Sequence, residues 1–349
     1  MSPTIKQSPW VSALAVAAIG LMVASFFTPV WWVSLTAPNY PKDAFPDGIR
    51  IHFGFTGVTN GCSTPPKASH HAQEVMQEDL GWRDETGDLT KSEKAEGPSV
   101  LDCMHEMNTI NHYVGMHPIE VGAPVERQLA RYIVGLFAVA LLGFAVASQK
   151  ARVAVLGVGF AGVTGWMFVD LLGRGRLDAA VATYTHEAGK YFNEAEKIAQ
   201  WGQTLHSVTL GVAVGLVAVM ALLVLAAWRW PRFQLVLGVV PALLPFFFVG
   251  AFAAWLWFFG HNMHPWGAFT LKPFMPTVFG DGKVAQFTTH SYPHRGFFLL
   301  LGMTVLLVVA VVKRRGELLD AEEATAKRSA PSTPSSSEVA PPAATGQKA

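Results

Sequence analysis

Two stretches of this chain gather side chains with the chemistry to hold a soft metal ion. The first stretch runs Cys103-Met104-His105-Glu106-Met107 and on through His112, Met116 and His117. The second runs His261-Asn262-Met263-His264, followed by Met275, His290 and His294. Neutral imidazole takes Cu(II) or Cu(I) and thioether sulfur favours Cu(I), so the combination suits copper. The candidate ligands are His105, Met107, His112, Met116, His117, His261, Met263, His264, His290 and His294. If residues 103–116 are helical, His105, His112 and Met116 follow one face, because positions three, four and seven apart align. Gly115 and Pro118 would end that helix. His261 and His264 share a face if the helix before them continues, and His290-Ser291-Tyr292-Pro293-His294 approaches from the far end of the same loop. One composite site is therefore expected. The bland reading of the same atoms is core filling, hydrogen bonds to main chain and an interfacial belt.

Cys62 and Cys103 are too few for a thiolate cluster. In an oxidising compartment a disulfide is the default reading. A copper thiolate at Cys103, beside Met104 and His105, is the alternative.

These groups need elements to position them, and composition says which. Apolar residues make up 51% of the chain and charged residues 15%, where globular chains carry about a quarter charged. The net charge of +1 offers no case for nucleic acid. A spanning helix needs about 20 mostly apolar residues. Six segments qualify, over 10–35, 129–148, 152–172, 206–228, 233–259 and 297–313. Lys6, Lys150 with Arg152, Arg229 with Arg232, and Lys313-Arg314-Arg315 all fall on one side of such a bundle. By the positive-inside rule that side is cytoplasmic. The expectation is an all-α integral membrane fold of six transmembrane helices, N-in and C-in, in a bacterial inner membrane, with a small α+β extracytoplasmic subdomain in the first outer loop. The divisions are an N-terminal anchor over 1–35, the subdomain over 36–128, a five-helix bundle over 129–315 and a disordered cytoplasmic tail over 316–349. The first span reads as a retained anchor, being longer than a signal-peptide core.

Finer features follow. Gly157, Gly159, Gly162 and Gly165 suit close helix packing. Pro241 and Pro245 should kink the fifth span. Asp170 is an acid near the end of a span, either functional or paired with Arg174 one turn on. Residues 51–58 alternate like a strand, residues 177–203 like an amphipathic surface helix, and Gly280-Asp281-Gly282-Lys283 like a hairpin turn.

Two segments carry a resemblance to known proteins. Asn111-His112-Tyr113-Val114-Gly115-Met116 and Lys272-Pro273-Phe274-Met275-Pro276 are similar to stretches of polytopic membrane proteins encoded beside atypical nitrous oxide reductases. The resemblance implies a part in maturing, or supplying electrons to, a periplasmic copper enzyme of denitrification. Copper handling through the outer histidines and methionines is the first function expected. The alternative is a membrane redox subunit binding haem b or quinol, with a periplasmic cytochrome or copper enzyme as partner. A haem would be held by His112 or His117 against His261 or His264. A transporter ranks third, since only Pro241 and Pro245 hint at broken helices. There is no Gly-x-Ser-x-Gly, no Walker lysine loop and no His-Glu-x-x-His, so hydrolase chemistry finds no motif.

Overall fold

The computed structural model describes residues 7–40, 42, 45–63, 101–191, 194–264, 267, 268, 271–284 and 286–329. Among them six helices are long and apolar enough to cross a membrane. They are α1 (Pro9–Phe26), α3 (Pro124–Ala145), α4 (Gln149–Phe168) extended by a π-turn over Val169–Gly173, α6 (Ala195–Arg229), α8 (Leu244–His261) and α9 (Arg295–Ser329). Three further helices are α2 (Cys103–Val114), α5 (Arg176–Tyr191) and α7 (Gln234–Ala242). Prolines set several boundaries. Pro9 and Pro124 occupy the first turns of α1 and α3, where a missing N–H costs nothing. Pro29 keeps the chain after α1 from continuing as helix.

Hence the first span is shorter than its hydropathy suggested. The helix stops at Phe26, and Trp31–Thr36 is strand β1. This strand is the centre of a five-stranded antiparallel sheet in the order β3-β2-β1-β5-β4, with β2 Ile49–Gly54, β3 Gly57–Asn60, β4 Gly280–Val284 and β5 Phe287–Pro293. Val33 faces Ile51 on one side and Ser291 on the other. The extracytoplasmic α+β unit expected from the first loop alone thus takes two of its five strands from the segment before α9. Trp31 pins the sheet to the bundle. Its indole donates to Ser291 Oγ at 2.9 Å and its ring packs against Phe248, Phe252, Phe279 and Phe297.

Three other expectations are corrected, and the expected proline kink of the fifth span is a full break. The segment 51–58 is a hairpin of β2 and β3, with Gly57 at φ 137 allowing the reversal. Residues 280–283 lie within β4, because Asp281 in the ladder reaches His290 and Tyr292 at 2.7 and 3.1 Å. The fifth span is two helices, α7 and α8, parted at Leu243 by Pro241 and Pro245. The chain beyond 316 continues α9 to Ser329, its charged face pinned where Glu322 pairs with Arg232 at 2.8 Å. Residues 330–349 lie outside the described ones.

At the end of the bundle away from the sheet, Arg152 and Arg314 are 2% and 1% exposed and converge on Gln234 Oε1. Arg152 also donates to the carbonyls of Gly143 and Val146, and Arg314 to Glu317. Glu317 in turn accepts from the Ser8 amide, so α1, α3, α4, α7 and α9 are tied together there.

Candidate functional site

Facing rows of α3 and α8 stand apart beneath the sheet and leave a cavity of about 400 Å³. Its α3 wall is Ala130, Ile133, Val134 and Phe137, and its α8 wall is Leu244, Phe248, Ala251, Phe252, Trp255 and Phe259. Both rows repeat at helical spacing. The roof comes from all five strands, through Val33, Leu35, Phe53, Val58, Val284 and Phe287. Met107, Ile110 and Val114 of α2 close one side, and Phe274 with Pro276 close another. A volume of several hundred Å³ with mostly apolar walls is that of a small-molecule pocket.

Few polar groups reach it: Asn111, His117, Glu126, Arg127 and Thr289. Glu126 accepts from the indole of Trp255 at 2.8 Å, which holds ring and carboxylate together at the wall. Burial lowers the pKa of His117, and nearby His264 and Lys197 lower it further, so its imidazole is held neutral. A neutral imidazole offers one donor and one acceptor.

The two ligand-rich stretches do meet, but through their backbones. His264 N donates to Gly115 O at 2.6 Å, and Gly115 sits at φ 82 where a Cβ would run into the His264 carbonyl oxygen. Only glycine suits that seam. On the far side, Phe274 N donates to Gly260 O at 3.2 Å, folding the segment after α8 back over its end. Residues 111–116 line the cavity through Asn111, Val114 and Met116, and residues 272–276 through Phe274 and Pro276.

No family model matches this chain, and neither does any curated protein or solved structure.

The ten expected ligands separate into groups. Met116 and His117 line the cavity with Met107, whose side chain is buried. His264 is 8% exposed beside them, its Nε2 2.9 Å from Glu194 Oε2, and that bond lowers the Glu194 pKa. His112 lies against Tyr191 of α5, ring centres 6.2 Å apart. His105 is exposed on α2, which Asp102 caps by accepting from Met104 N and His105 N at 3.1 Å. Because α2 ends at Val114, Met116 leaves the face that His105 and His112 were expected to share with it. Similarly α8 ends at His261, so His264 does not share its face. His261 stacks on Trp257 and bonds that residue's carbonyl at 2.8 Å. Met263 is half-buried. His290 pairs with Asp281, while His294 packs against His52 with ring centres 4.8 Å apart. Among the described residues no three His, Cys, Asp or Glu side chains gather as a metal-holding group. Cys62 and Cys103 are joined in a disulfide, Cα atoms 6.0 Å apart, which answers the choice between bridge and thiolate.

Sequence reasoning missed the cavity, its wall residues Glu126, Arg127 and Trp255, and Glu194 as the partner of His264. One signal was present: Leu244, Phe248, Ala251, Phe252, Trp255 and Phe259 form an aromatic-rich stripe at helical spacing.

Proposed function

We propose that this chain is a quinone- or quinol-binding protein of a bacterial inner membrane, its sheet facing the periplasm. The observation that carries the reading is the roofed cavity between α3 and α8. Its aromatic walls suit a planar ring and its apolar length suits an isoprenoid chain. Neutral His117 at the wall can exchange a hydrogen bond with a quinone oxygen or a quinol hydroxyl. Arg127 and Glu126 supply polar ends of opposite sign. The resemblance adds a recipient, a periplasmic copper enzyme or cytochrome that such a protein would supply with electrons or help to mature.

Copper handling is the second reading, and one observation favours it: Met107, Met116 and His117 share the cavity wall, with His264 beside them.

A short-chain ubiquinone added to the purified full-length protein tests the first reading, since quinones quench indoles and Trp255 is in the wall. Saturable quenching that Ala251→Trp weakens by at least about tenfold, by filling the space, supports it. Equal quenching by wild type and A251W overturns it. Elemental analysis tests the second reading: M116L/H117A should lose bound copper, and copper absent from wild type would exclude it.

A further inference from the structure

We infer that Arg131, Arg174 and Arg176, gathered around Asp170, form a binding site for a phosphate group. The cluster is separate from the cavity and lies where α3 begins and α4 ends, on the sheet side. Asp170 has 9% of its side chain exposed, and Tyr132 donates to its Oδ2 at 2.7 Å. Guanidinium nitrogens of Arg131, Arg174 and Arg176 lie 3.4, 3.6 and 3.9 Å from its oxygens. One arginine would neutralise this carboxylate. Three outnumber it, and a positive charge remains even when Asp178, whose carboxylate faces His206 at 3.7 Å, is counted against them.

The donors are also unspent. Each guanidinium carries five N–H groups, more than one shared carboxylate can accept. Nε of Arg176 is buried and has no hydrogen-bond partner among the described residues, a costly condition that an added acceptor would relieve. Phosphate oxygens match the arginine fork, singly or in pairs. A π-turn over Val169–Gly173 sets the geometry, turning Asp170 inward while Val169 and Leu172 stay outward. Such turns recur at functional sites.

Beside the charges runs an apolar strip: Trp166, Val169 and Leu172 are 44%, 58% and 49% exposed. Acyl chains against this strip would bring a headgroup phosphate level with the arginines, at the end of the span where lipid phosphates lie. A free phosphate ion would use the same guanidiniums without the strip. Asp170 acts as the positioning residue in either case.

Native mass spectrometry of the full-length protein tests the site with phosphatidylglycerol and with a phosphate-free galactolipid of the same chains. A parallel arm adds inorganic phosphate and follows the thermal midpoint. R131Q/R176Q is expected to retain phosphatidylglycerol about tenfold less than wild type, with galactolipid retention unchanged. A midpoint rise with inorganic phosphate that the variant loses would identify a free anion as the source. Should the double variant misfold, R176K keeps the charge but loses the fork, and a several-fold loss is expected. Phosphatidylglycerol retention and phosphate response both equal in wild type and variant would overturn the proposal.

Discussion

His117 is where burial, charge and ligand chemistry meet, and its neutrality has a measurable cost. Burial lowers its pKa from the ordinary 6.5, and so it does for His52 and His294, the first with His294 beside it and the second with Arg295. For each, the unfolded chain binds more protons than the folded one between the depressed value and 6.5. The stability these histidines contribute is therefore whole above 6.5 and is lost as pH falls from there through the folded value. The thermal midpoint should fall between about pH 7.5 and about pH 5.5, and His117→Gln should flatten that fall. A midpoint that rises on acidification would contradict the buried, neutral imidazoles. At this scale the sequence was a fair guide to residue type and a poor one to partners. Nothing local in Met263-His264 tells that His264 meets Glu194, whose distance along the chain is 70 residues.

Among elements, the helices were legible and the sheet was not. Long apolar runs are a local property, so α3, α4 and α6 sit close to their hydropathy segments. Gly115 at the C-cap of α2 and the break between Pro241 and Pro245 were legible for the same reason. The sheet depends on pairing between Trp31 and Pro293, which no local pattern announces. The cavity is further removed still, since it exists only because the sheet roofs two helices that stand apart. Within that roof a disulfide ties the end of β3 to the start of α2, closing a loop of 41 residues. Loop entropy of that size corresponds to roughly 4 kcal/mol. C62S/C103S should therefore loosen β2, β3 and α2 first, lowering amide exchange protection there while α3, α4 and α9 keep theirs. A uniform loss across all helices would mean that the sheet and the bundle unfold as one unit.

For the molecule as a whole, two differently built ends meet one bilayer. The sheet end carries the cavity and the disulfide. The other end gathers the basic connectors, but two of them, Arg152 and Arg314, are buried on internal carbonyls and Gln234. Solvent-facing charge at that end comes from Lys150, Arg229, Arg232, Lys313 and Arg315 instead. Positive charge in short connectors disfavours their transfer across the membrane, and these remaining cations are the basis of the expected direction. The expected orientation has the sheet outside, where a disulfide persists. Lys283 on β4 and Lys150 at the start of α4 are both exposed, at opposite ends. In intact cells a membrane-impermeant maleimide should label K283C directly and K150C only after permeabilisation, the native cysteines being bridged. The reverse pattern would place the cavity's roof in the cytoplasm, and with it would go the expectation of a periplasmic redox partner.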